Sequence, residues 1–234
     1  MFDAHETSTA RTSRITGALF LLMAAGGIFG AMVVRQAFIV PNDAAATAQN
    51  ILASETLFRA GVLGDLVAFV CDVAVSILLY VLLRPAGKTL ALVSTGFRLV
   101  YTAAVGANLV HHLNAVLLLK NLGPSSGFTP EQVQALALNA VDAHQNGYSI
   151  VLVFFAVHLV LLGVLLLRSS AFSGWLGVLM VLAGLAYAID GVAMVLAPDV
   201  RAAISPFLVL PMSFELVLAV WMLIRGVRRG AAVV

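Results

Sequence analysis

Six long stretches of the chain are almost wholly apolar, separated by short clusters of Pro, Gly, Asn, Asp and basic residues. They cover residues 15–34, 59–83, 90–119, 148–167, 175–196 and 205–224, and each supplies the roughly 20 apolar residues that a helix needs to cross a bilayer. The first, ITGALFLLMAAGGIFGAMVV, follows Arg11 and Arg14, as a signal peptide would. It is about twice the length of a signal core, and Arg35-Gln36 follow it in place of a small-residue cleavage site, so it reads as an uncleaved span. Gly26 and Gly30 form a GxxxG pair that lets a second helix approach closely.

The two longer connections carry helix signals of their own. Pro41-Asn42-Asp43 reads as a turn and cap before the Ala-rich run AAATAQNILASETLF, expected as a short helix on the membrane surface. In TPEQ, Thr129 caps, Pro130 takes the first helical position and Gln132 closes a capping box. A second amphipathic surface helix is expected to run from there to about Val141, with Gly147 breaking it from the fourth span. The predicted fold is therefore all-α: one bundle of six transmembrane helices with short amphipathic surface helices in the two longer external loops. Residues 1–14 form a flexible cytoplasmic N-terminus, 15–226 the transmembrane domain and 227–234 a basic cytoplasmic tail.

Composition agrees. Hydrophobic residues make up 62% of the 234 and charged residues 10%, far below the quarter or so of a soluble domain, and mean hydropathy is +1.05. One cysteine, Cys71, rules out an internal disulfide. The scattered basic residues lack the clustering that nucleic acid requires. Their distribution instead orients the chain: Arg11, Arg14, Arg84, Lys88, Arg168, Arg225, Arg228 and Arg229 fall on the terminal side, against Arg35, Arg59, Lys120 and Arg201 on the other. Eight against four predicts both termini in the cytoplasm of a multi-pass inner-membrane protein.

The chemistry lies within the spans. Asp65, Asp72, Arg98, Asn108, His112, His144, His158, Asp190 and Glu215 all fall at membrane depth, where each ionisable group costs at least about 2.5–3.5 kcal/mol against lipid. Helical spacing turns them inward: Gly61, Asp65, Asp72 and Ser76 share one face of the second span, and Ser94, Arg98, Tyr101, Thr102 and His112 one face of the third, with Asn108 at its edge. His144 and His158 lie fourteen residues apart on nearly one stripe of the fourth. The expectation is a buried polar column open to the outer side. Asp72, His158 and Glu215 lie near mid-bilayer; Asp65, Asn108, His112, His144 and Asp190 lie in the outer half. Four acids meet one arginine in this set, and Arg98 with Asp72 is the first pairing expected. His158 is expected to touch an acid, with Glu215 closest in depth.

RITGALFLL, VPNDAAATAQNILASETLFR, LLYVLLRP, FRLVY and DAHQNGYSIVLVFFAVHLVLLG together resemble a bacterial family of integral membrane proteins known as domain of unknown function 4386. The resemblance covers nearly the whole chain. It implies a six-span membrane protein, and it carries no reaction and no catalytic residue.

Three functions compete. A column of Asp, His, Glu and Arg suits proton or small-solute handling, as in a transporter, with Pro211 allowing a broken helix near the site. A membrane-embedded metal-dependent hydrolase is the alternative. His144 and His158 are too far apart to share an ion, so its metal candidates are His112, His144, Asp65 and Asp190, without any HExxH motif. The third reading is a non-catalytic membrane protein that binds lipid, a small molecule or a partner, with the polar residues as hydrogen-bonded glue between helices. Haem is a minor candidate because the third span offers only His112 opposite the two fourth-span histidines, and no cofactor is expected.

Overall fold

The computed structural model describes residues 2–227, with side-chain environments from Thr9 onward. The rest of the expected basic tail, including Arg228 and Arg229, lies outside the described residues. In chain order the elements are α1 (Phe2–Ile28), a π-helical segment (Phe29–Arg35), α2 (Gln36–Phe38), α3 (Ala44–Ala53), α4 (Glu55–Leu83), α5 (Lys88–Asn121), α6 (Pro130–Arg168), α7 (Gly174–Leu196), α8 (Pro198–Met212) and α9 (Phe214–Ile224). No strand occurs among the described residues. Six helical segments are long and apolar enough to cross a membrane, with the first running from Thr9 through α2 and the last combining α8 and α9. The protein is an all-α, multi-pass membrane protein.

The helix starts follow their local chemistry. Asp43 accepts from the Ala46 N–H to cap α3. Thr129 and Gln132 form the reciprocal capping box of α6, with backbone-to-side-chain bonds of 2.9 and 3.4 Å. Pro198 opens α8, where its missing N–H costs nothing.

Two details differ from the expected layout. The first helix begins at Phe2, well before the apolar run. The expected short helix α3 is present, with one face exposed and the other packed. It buries Thr47, Ala48 and Ile51 and is tied down by Asn50 Nδ2 donating to the Phe38 carbonyl (3.2 Å) and by Thr47 bonding both backbone groups of Val40. Finally, α6 runs unbroken through Gly147. A Cβ there would meet the Asn108 side-chain amide, so this glycine serves close approach and not a helix break.

The chain forms two compact units. One comprises residues up to Met23, Val70–Ala103 and the chain from Ser149 onward. Its α6 and α7 meet backbone to backbone through glycines: a Cβ on Gly163 would stand 2.6 Å from the Gly177 carbonyl oxygen, and one on Gly184 2.8 Å from that of Ala156. Within α8 and α9 the chain turns at Ser213, whose hydroxyl donates to the Leu210 carbonyl (2.7 Å) just past Pro206 and Pro211. No residue of α8 is buried, and Phe207 is 79% exposed, as befits a helix facing lipid.

The other unit comprises Ala24–Phe69 and Ala104–Tyr148. Its apolar core joins Val34, Phe38, Ile51, Phe58, Ala115, Val116, Ala137 and Val141. The expected close approach of the GxxxG pair is present at Gly26, where a Cβ would lie 2.7 Å from the Gly64 carbonyl oxygen.

Candidate metal centre and a matching ion-pair site

In the second unit, α4, α5 and α6 bring Asp65, His112 and His144 together. One ligand atom from each lies within 4.8 Å of the others. Tetrahedral ligands 2.0–2.1 Å from an ion stand about 3.4 Å apart, so small side-chain rotations would close the set. All three side chains are buried. Gly30, in the π-helical segment, makes room for the acid: a Cβ there would come within 2.5 Å of Asp65 Oδ1. Arg35, the last residue of that segment, donates from Nη1 to Asp65 Oδ2 at 2.5 Å. Such π-helical insertions recur at functional sites because they re-aim side chains.

The two histidines differ. Nδ1–H of His144 donates to the Asn108 carbonyl (3.1 Å), and Asn108 Nδ2 donates back to the His144 carbonyl (2.7 Å). Asn108 Nδ2 also lies 3.2 Å from Nδ1; the carbonyl, which can only accept, favours the Nδ1–H tautomer, with the Nε2 lone pair as the ring's ligand atom, an arrangement typical of metal-binding histidines. His112 is wholly buried, between the Phe58 ring (4.6 Å) and the His144 ring (5.0 Å). Neither of its ring nitrogens has a hydrogen-bond partner among the described residues. An unsatisfied buried polar atom costs about 1–3 kcal/mol, and this ring carries two.

The first unit holds a site of the same plan with a different filling. Asp72 of α4 accepts at Oδ1 from Arg98 Nε (2.8 Å) and Nη2 (2.5 Å), and at Oδ2 from Thr102. Arg98 of α5 has no exposed surface, and its guanidinium carbon lies 4.8 and 5.3 Å from the Phe20 and Phe155 ring centroids. Its Nη1 meets His158 Nε2 of α6 at 3.1 Å. A guanidinium can only donate, so Nε2 accepts and Nδ1 carries the hydrogen, which faces both the Ser94 hydroxyl oxygen (2.9 Å) and the Ser94 carbonyl (3.0 Å). The Ser94 hydroxyl donates back to the His158 carbonyl (3.2 Å), repeating the Asn108–His144 clasp.

The other two acids of the expected set, Asp190 and Glu215, have separate partners. Asp190 accepts from Arg201 Nε and Nη2 at 2.9 Å each and from Ser205 at 3.1 Å. Glu215 accepts at Oε1 from the Tyr187 hydroxyl (3.1 Å), and its Oε2 is buried with no partner among the described residues.

The expected Arg98–Asp72 pair is present. The expected contact of His158 with Glu215 is not: the ring faces an arginine and a backbone carbonyl, and Tyr187 takes the glutamate. Of the four metal candidates, Asp65, His112 and His144 assemble, while Asp190 is committed to Arg201. The nine polar residues fall into separate clusters within the two units. Arg35 and Arg201, counted from sequence as loop charges, are counter-ions to buried aspartates. A hint was available for each. Arg35 ends an apolar helix whose neighbour needs a cation for Asp65, and Arg201 follows the Pro198 turn, one short segment beyond Asp190.

The profile described as "Domain of unknown function (DUF4386)" matches residues 15–226. The chain belongs to the DUF4386 family. An uncharacterised protein of Archaeoglobus fulgidus is 28% identical to this DUF4386 chain over 167 residues, which cover 70% of the chain and 83% of the relative. No solved structure matches it.

Proposed function

We propose that this DUF4386 protein is a membrane-embedded metalloprotein whose divalent transition-metal centre is Asp65, His112 and His144. The observation that carries this reading is His112: a fully buried imidazole, both nitrogens unpartnered among the described residues, beside a carboxylate and a second histidine whose Nδ1 faces a backbone carbonyl. Two imidazoles and a carboxylate suit zinc or ferrous iron. Three protein ligands leave a coordination position open, as in catalytic zinc centres and unlike four-ligand structural ones. Metal-assisted hydrolysis, in which the ion activates a bound water, is the reaction class such a centre supports. The transporter reading loses part of its argument, because each of the three buried aspartates has its own arginine and Glu215 alone of the four acids has none among the described residues. Metal analysis of protein purified in mild detergent without chelator should find about one transition-metal ion per chain, and none in His112→Ala. A metal-free parent able to take up neither zinc nor iron would refute the proposal.

We further infer that both termini are cytoplasmic in the inner membrane. The support is the eight-to-four split of Lys and Arg between the terminal side and the other. A tag placed after Val234 should be reached by reagents only once cells are opened; labelling on intact cells would reverse the orientation.

A further inference from the structure

The candidate centre carries a charge problem that points to its ligand, an argument that rests on the metal reading above. Asp65 and Arg35 cancel each other at 2.5 Å. His112 and His144 would bind an ion as neutral imidazoles. A divalent cation would therefore leave two uncompensated positive charges among ligands that are 4%, 0% and 3% exposed. Buried net charge of that size is strongly disfavoured, so the ion must arrive with an anion or acquire one.

Arg35 is arranged to share such an anion. Among the described residues its fork bonds Asp65 through Nη1, which leaves the donors of Nε and Nη2 for another acceptor. Its side chain is 15% exposed, more than any of the three metal candidates. It lies three residues before the end of α2 at Phe38, about 5 Å of helix from the segment's end, on the side where headgroups would stand. A planar guanidinium fork beside a metal is the standard means of holding a phosphoryl group, with one oxygen on the cation and the others on N–H donors. We propose that the occupied centre binds a phosphoryl oxyanion, one oxygen filling the metal's open position and a second accepting from Arg35.

Cobalt(II) would report both levels of the argument, because its visible bands appear on binding and shift when a ligand is added. The full-length protein in neutral detergent is loaded with Co(II), then titrated with inorganic phosphate and with short-chain phosphatidic acid. The expected result is a saturable shift of the bands. The midpoint, read on protein saturated with Co(II), should move about ten- to hundredfold in Arg35→Gln, and by less in Arg35→Lys. A response to inorganic phosphate identifies a soluble phosphoryl ligand; a response to phosphatidic acid alone identifies a lipid headgroup. If Co(II) loads but neither compound shifts the bands, or if Arg35→Gln and Arg35→Lys both respond with the parent's midpoint, the oxyanion site is wrong and the metal centre stands. If Co(II) does not load at all, both proposals fall.

Discussion

The two Asp–His sites differ most in the residue that α5 supplies, and that choice decides what each can do. Each takes an aspartate from α4, one residue from α5 and a histidine from α6. Each clasps α5 to α6 by a reciprocal bond between histidine and backbone: Ser94 with His158, and Asn108 with His144. Asp65 and Asp72 are seven residues apart, Arg98 and His112 fourteen, and His144 and His158 fourteen, all close to whole numbers of helical turns. Where the first unit uses Arg98, the second uses His112. An arginine supplies a permanent cation with five donors, so it neutralises Asp72, satisfies His158 and closes the site. A histidine supplies a lone pair in place of that cation: Asp65 takes its counter-ion from Arg35, and both His112 nitrogens stay without a hydrogen-bond partner among the described residues.

The comparison can be broken in order of expected effect. Asp72→Ala should destabilise the protein by about 3–5 kcal/mol, because it strands Arg98 as a buried unpaired charge. Asp72→Asn keeps an acceptor for the guanidinium and should cost less. Thermal unfolding in detergent measures both, and an Ala variant as stable as the parent would show that the pair is dispensable.

Next is the exchange of one solution for the other. His112→Arg should carry the closed, metal-free arrangement into the second unit. A metal present at a hundred times its dissociation constant stabilises by about 2.7 kcal/mol. Chelator should therefore lower the parent's melting temperature and leave that of His112→Arg unmoved. Equal chelator sensitivity in the two proteins would end the analogy.

Gly30 and Gly26 separate site from packing. An Ala methyl at Gly30 meets Asp65 Oδ1, while one at Gly26 meets the Gly64 carbonyl. Gly30→Ala should weaken metal binding about 10–100-fold, the usual result of disturbing a ligand's support. Gly26→Ala should cost about 1–3 kcal/mol of stability with metal affinity unchanged. Calorimetric metal titration beside melting curves tests both.

The smallest effect concerns His158. Gln can accept from Arg98 and still donate one hydrogen, so His158→Gln should lie within about 1 kcal/mol of the parent. Leu does neither and leaves an Arg98 donor bare, at about 1–3 kcal/mol. A large loss in the Gln variant would mean that the ring does more than join Arg98 to Ser94.

Much of this protein was determined by its sequence alone, because the governing forces act locally or through the bilayer. Apolar runs long enough to span lipid, the Thr129–Gln132 box, the Asp43 cap and the inward turn of residues such as Arg98 and His112 depend on segment length and helical period. The buried pairing of Asp72 and Arg98 was also legible, since two charges at similar depth have few other choices. What only the tertiary structure decided is which neighbour each polar face meets. A position on a helix fixes a direction from that helix's own axis and says nothing about what stands opposite. That is why Asp190 was grouped with the metal candidates when it belongs to Arg201, and why His158 was matched by depth to Glu215. Long side chains add to the ambiguity: Arg35 and Arg201 look like loop charges in sequence because their flexible stems reach back to aspartates that one-dimensional depth cannot connect to them. Glycine is ambiguous for the opposite reason, since lacking a side chain it permits both a break and a close approach, and only the Asn108 amide lying against Gly147 shows which of the two this chain uses.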